Sequence, residues 1–161
     1  MAKPEWMKEA PKPISSVLIA NRGEIACRII RACQEMEIEA IAIQSSSDEG
    51  ALHTEMADRV VSLPGESLAE TYLNVDAIID AAISSGANAI HPGYGFLSER
   101  ADFAKSVISS GIIWIGPSPE AIDSMGDKVT ARRRMEEASV PVIPGRDILI
   151  GTDEDLQLLI R

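Results

Sequence analysis

From residue 17 onward, apolar and polar positions alternate between two rhythms. VLIA (17–20) is a short apolar run, and AIAIQ (40–44), RVVSL (59–63), NAIHP (88–92) and IIWIG (112–116) share its character. Such runs predict strands, and their near-continuous apolar character fits strands buried on both faces. Between them the period lengthens. Ile25, Ile29, Ile30, Cys33 and Met36 recur at helical spacing over 24–36, and helical patterns also cover 50–57, 74–85, 99–110 and 118–124. On the polar side of the first helix, Glu24 with Arg28 and Arg31 with Glu35 form i,i+4 pairs. Strands alternating with helices predict an α/β fold: a mostly parallel sheet covered on both faces. In such sheets ligands gather at the carboxyl ends of strands. The segment IHPGYGFLSER (90–100) occupies one such end.

After Pro117 the pattern changes. A helix is predicted over 128–138, then the Pro-punctuated connector SVPVIPGRD. The final TDEDLQLLIR opens on Thr152 as an expected N-cap, with Asp155 in its acidic first turn. A helix of ~10 residues is marginal without a packing partner, so the chain is expected to be a truncated piece of something longer. At the other end, MAKPEWMKEAPKP (1–13) has no apolar core of a secretory signal and is expected to be a disordered leader.

Composition adds exclusions. The 15 basic and 25 acidic side chains leave a net charge of −10, a field that disfavours nucleic acid and anionic membrane surfaces as partners. No apolar run approaches the ~20 residues needed to span a bilayer. Cys27 and Cys33 sit ~9 Å apart along one predicted helix, too far for a disulfide. Reduced, buried thiols suit the cytoplasm, with an organelle matrix also open.

Three stretches could carry chemistry. The first strand–helix turn, ANRGEIA (20–26), has one glycine where a dinucleotide fingerprint needs three, and Glu24 stands where phosphate would sit. NAD or FAD is not expected. Lys128, in MGDKVTARRRM, reads either as an early helical surface residue capped by Asp127 or as a point charge for a phosphate, with Gly126 allowing close approach. His91 reads either as a hydrogen-bonded strand-end residue or as a catalytic one. Pro92 biases it toward extended backbone, and Gly93 and Gly95 flank an outward Tyr94. Ser98 or Glu99 would start the next helix. His53 has no ligand partners nearby in sequence, and no metal site is expected.

Taken together, VLIANRGEIACRIIRA (17–32), YLNVDAII (72–79), AIHPGYGFLSE (89–99), IGPSPEAIDSMGDKVTARRRM (115–135) and VPVIPG (140–145) resemble the start of a biotin carboxylase. That resemblance implies a three-layer α/β/α, Rossmann-like pre-ATP-grasp domain over 14–125 and the start of an ATP-grasp region over 126–161. It implies an enzyme that uses Mg-ATP and bicarbonate to carboxylate biotin on a carrier domain, the phosphoryl group giving bicarbonate a leaving group. By the same resemblance Lys128 contacts ATP phosphates, while Tyr94, Gly95 and Phe96 form a wall of the biotin and bicarbonate pocket. His91 and Glu99 support that wall, and Arg28, Arg31 and Glu35 belong to a homodimer face, or else to a solvated helix surface. No catalytic residue or Mg2+ ligand falls in the chain under this reading, so it is expected to be inactive alone. Its partners would be the downstream ATP-grasp part, a biotin carboxyl carrier domain and a carboxyltransferase. The alternative is a dimerisation or regulatory module without catalysis. Two departures from the family pattern stand out: Ser139 where glycine commonly ends a helix, and Arg100 where asparagine often follows S-E.

Overall fold

The computed structural model describes residues 13–126 and 128–143, apart from the Lys128 side chain. The expected leader up to residue 12, Asp127 as N-cap and the Thr152 helix lie outside the described residues. The chain divides into two compact units, Met1–Ile122 and Asp123–Arg161.

The first unit is built on five strands: β1 (Ser16–Ile19), β2 (Glu39–Gln44), β3 (Arg59–Ser62), β4 (Ala89–His91) and β5 (Ile113–Trp114). Their order is β3-β2-β1-β4-β5 and every pairing is parallel. Its helices are α1 (Gly23–Glu35), α2 (Leu52–Met56), α3 (Val75–Ser85), α4 (Ala101–Ser109) and the first half of α5 (Pro119–Gly126), with a 3-10 turn over Ser46–Asp48. The strands alternate sides as the pleat demands. Leu18, Ile41, Ile43 and Ile90 face a core completed by Tyr72, Ile78 and Ala82 on the α3 side and Phe103 and Val107 of α4. Val17, Ile19, Ala40 and Ala89 face Ala26, Ile29, Ile30 and Cys33 of α1. Both cysteines are buried and free.

Helix boundaries follow local chemistry. The Asn74 side chain accepts a 3.1 Å bond from the Ala77 amide to open α3, and Gly86 closes it at φ 73°. The helical pattern over 50–57 resolves into the 3-10 turn and a short α2. The helix expected from Ser98 or Glu99 starts later, at Ala101. Residues 96–99 form turns first, the Ser98 amide bonding the Gly95 carbonyl at 2.9 Å. Neither i,i+4 pair of α1 closes to an ion pair among the described residues, where Arg28, Arg31 and Glu35 are all exposed.

In the second unit, α6 spans Lys128–Glu137. Ser139 has φ 59°, with its amide bonded to the Glu136 carbonyl. A left-handed L-residue costs about 1–2 kcal/mol, which is why glycine suits this position.

Candidate functional site

The strand order reverses direction between β1 and β4, and the crevice outside the carboxyl ends of these two strands is where an open parallel sheet takes ligands. Two segments meet there: Asn21-Arg22 after β1, and the HPGYGF turn after β4. Asn21 is 3% exposed, and its amide nitrogen donates to the Pro92 carbonyl at 3.0 Å and the Tyr94 carbonyl at 2.9 Å. Its side-chain oxygen accepts the Arg22 amide at 2.9 Å. One side chain therefore satisfies buried carbonyls 71 and 73 residues away.

The turn itself is left-handed at three of four positions, Gly93 (φ 70°), Gly95 (φ 69°) and Phe96 (φ 48°). The two glycines serve different ends. A Cβ on Gly93 would come 2.6 Å from the Asn21 amide nitrogen, whereas one on Gly95 would meet nothing within 4 Å. Gly93 is needed for close approach, and Gly95 leaves open space over its backbone. Between them Tyr94 is 75% exposed. Phe96 lacks the excuse of a missing Cβ. Its ring stacks on Tyr72, with centroids 5.3 Å apart and planes 16° from parallel.

His91 ends β4, and its Nδ1 accepts the Gly93 amide at 3.0 Å. Burial holds its pKa below the usual histidine value, so the neutral ring carries its proton on Nε2. His91, Gly93 and Tyr94 also line a groove of about 680 Å³ along α1, with Arg28, Ile25 and Ile29 on the helix side. Glu99 is exposed in the turns that lead to α4.

Behind the turn lies a buried polar cluster. Tyr72 is fully buried and donates to Asp48 Oδ2 at 2.8 Å, with the Ile43 carbonyl at 3.2 Å. Asp48 also accepts from the Ser45 amide at 3.1 Å and its hydroxyl, and pairs with Arg22 at 3.1 Å. The Arg22 guanidinium lies 5.6 Å from the Tyr72 ring centroid. Burial alone would raise the Asp48 pKa, but the hydrogen bonds from Ser45 and Tyr72, with Arg22 adding to them, hold it below the ordinary carboxylate value. Burial, then the Asp48 carboxylate, drives the Tyr72 phenol far above its ordinary value, so it stays a donor.

The structure thus brings His91, Tyr94, Gly95 and Phe96 together. It keeps Arg28, Arg31 and Glu35 on one exposed face of α1 and puts the Lys128 backbone at the start of α6 in the second unit. Sequence reasoning passed over Asn21, Arg22, Asp48 and Tyr72. The available signals were an asparagine directly after a buried strand and a lone tyrosine inside a polar loop. Among the described residues no group of three or more His, Cys, Asp or Glu could hold a metal ion, and no helix is long and apolar enough to cross a membrane.

A parallel sheet with a phenol-bearing turn, tied down by Asn21, at its switch point defines an α/β domain of the doubly wound class. Comparison with known proteins gives the family. Residues 13–122 match the model for "Biotin carboxylase, N-terminal domain", and the chain belongs to that family. It is 50% identical over 145 residues to a biotin carboxylase of Halalkalibacterium halodurans, covering 90% of this chain and 32% of that protein. It is 52% identical over 136 residues to the biotin-dependent acyl-coenzyme A carboxylase alpha3 subunit of Mycobacterium leprae, covering 84% and 23%. The biotin carboxylase domain dimer of Hydrogenobacter thermophilus 2-oxoglutarate carboxylase, solved with MgADP, ADP and bicarbonate, superposes with a TM-score of 0.83 at 43% identity, covering 92% and 33%. The chain therefore spans a third or less of the length of these relatives.

Proposed function

We propose that this chain supplies one wall of a biotin carboxylase site, in an enzyme that spends Mg-ATP to activate bicarbonate and carboxylate biotin on a carrier domain. The observation that carries this reading is the HPGYGF turn: an exposed Tyr94 between two left-handed glycines, held rigid by Asn21 at the sheet's switch point. A pre-set backbone with open space over Gly95 suits the close approach of a flat, hydrogen-bonding ring such as a ureido group. Tyr94, Gly95 and Phe96 bind and orient, and His91 and Glu99 support them. ATP supplies the phosphoryl group that makes bicarbonate an electrophile, and Lys128 offers a point charge to its phosphates. The Mg2+ ligands and the proton-transferring groups would come from the ATP-grasp part, so these 161 residues alone would not turn over ATP. A carboxyltransferase and a carrier domain would be the further partners, in cytoplasm or an organelle matrix.

The exposed Arg28, Arg31 and Glu35 face of α1 supports a second contribution, to a homodimer, as in the dimeric Hydrogenobacter domain. If that were its whole role, the chain would be a dimerisation module.

The test is biotin-stimulated phosphate release from Mg-ATP and bicarbonate. It is run on the chain alone and on the chain mixed with the part of the Halalkalibacterium relative that follows the matched region. Activity in the mixture only, lost with Lys128→Ala, is expected. Activity in the chain alone would overturn the division of labour. Silence in a folded mixture would shift the reading to dimerisation.

A further inference from the structure

The Phe96 backbone sits in a conformation that a bulky L-residue rarely adopts unless its surroundings over-determine it. Asn21 fixes the turn only as far as the Tyr94 carbonyl. Beyond that, the Phe96 ring packs on the core and stacks near-parallel on Tyr72. Tyr72 in turn cannot shift freely. It has no exposed surface, and its hydroxyl is tied to Asp48 and the Ile43 carbonyl. Asp48 is itself held by the Ser45 amide and hydroxyl and by Arg22. Arg22 follows Asn21 in sequence, so both restraints on the turn spring from the same two residues after β1.

We infer that Tyr72, locked by Asp48 and Arg22, is a positioning residue that sets the Tyr94–Phe96 wall through its stack on Phe96. The inference deepens the pocket-wall reading and depends on it only for the consequence in catalysis. Tyr72, with no exposed surface, offers nothing to a substrate directly. Its action is to make one orientation of the turn prevail over the alternatives open to a Gly-flanked segment. The lock also joins the loop after β2 to the turn after β4, two segments that the parallel sheet would otherwise leave independent.

The test uses the full 161-residue chain and needs no ligand. Nitrogen–proton NMR reads the amides of Gly93, Gly95, Phe96 and Ser98, together with their hydrogen exchange. Tyr72→Phe keeps the stacked ring and removes the bond to Asp48; Asp48→Asn keeps the size and removes the charge. Both are expected to shift these four amides and to lower protection of Gly93 and Ser98 on the order of tenfold, the worth of a hydrogen bond to a charged group. Ile78→Val, in the same core but outside the lock, is the control for general destabilisation and should leave the four amides in place. If Ile78→Val disturbs them as much as the two lock variants do, Tyr72 is only a core residue and the inference falls. It falls equally if the lock variants leave the turn unchanged. Neither result bears on whether the turn faces biotin, which the phosphate-release assay addresses.

Discussion

Strands β1 and β4 are tied together at both ends by an asparagine, and the two ties do different work. At the amino end, Asn88 accepts the amides of Ser15 and Ser16 at 3.2 Å each, donates to the Pro13 carbonyl at 2.9 Å, and gives its own amide to the Ser16 hydroxyl at 3.1 Å. At the carboxyl end, Asn21 holds the Pro92 and Tyr94 carbonyls. Both use a carboxamide as donor and acceptor at once. The Asn88 tie is half-open to water and fixes only where the strands begin. The Asn21 tie is buried and fixes a turn that bears an exposed tyrosine. Similar chemistry sets register at one edge of the sheet and the shape of a turn at the other, the edge where open parallel sheets take ligands.

Breaking the two ties should separate stability from function. The largest effect is expected for Asn21→Ala. It strands two carbonyls and should cost about 3 kcal/mol of unfolding free energy in denaturant titration. In the reconstituted mixture it should also raise the KM for biotin on the order of tenfold. Gly93→Ala should approach this, at about 2 kcal/mol, since the new Cβ collides with the Asn21 amide as well as adding left-handed strain. Gly95→Ala has the strain without the collision and should cost about 1 kcal/mol. A Gly95 variant as damaging as the Gly93 variant would refute the distinction between the two glycines. Asn88→Ala should cost about 1 kcal/mol, because water replaces its bonds, and should leave the biotin KM unchanged. Were that KM to rise as for Asn21→Ala, the contrast between the edges would be lost.

The smallest effect is a pH dependence that belongs to the carboxyl side of the sheet alone. Burial lowers the pKa of His91 and of His53, which is 1% exposed beneath β2. Neither nitrogen of His53 closes a hydrogen bond of good geometry among the described residues, although Asp48 and the Ile43 backbone are near enough to favour its charged form. In the unfolded chain these rings bind protons near pH ~6.5. Their contribution is therefore intact above that pH and is lost as pH falls through it. Asp48, lowered in the fold, adds a further loss at more acid pH as its own folded value is crossed. The melting temperature should decline below pH ~6.5, and the slope should flatten in His53→Leu; an unchanged slope in that variant would remove His53 from the account.

The layered α/β plan was legible because both hydrophobic periods are strong: all five apolar runs became strands, and the first helix buried Ile29, Ile30 and Cys33 of its expected stripe, although Met36 falls at its C-cap and is 61% exposed. The runs overshot the ladders. IIWIG yields only Ile113–Trp114; just past it a Cβ on Gly116 would come 2.8 Å from the Trp114 indole nitrogen, which itself bonds the Pro117 carbonyl. The turn residues His91 to Phe96 were legible through their glycines and through resemblance. Asn21 and Tyr72 were not, because their roles depend on which strands lie side by side. No local pattern reveals that residue 21 will meet residue 94, or that residue 72 will lie under residue 96.

The central place of β1 also has a consequence in time. Ser16 finds its partner Glu39 soon after both are made, whereas Val17 waits for Ala89. Until then one edge of the innermost strand stands unpaired, and closing so long a loop is the slow kind of contact in folding. Docking β4 ends that exposure and, in the same movement, brings Pro92 and Tyr94 to Asn21. Pairing the second edge of the central strand and shaping the HPGYGF turn are therefore expected to be a single event.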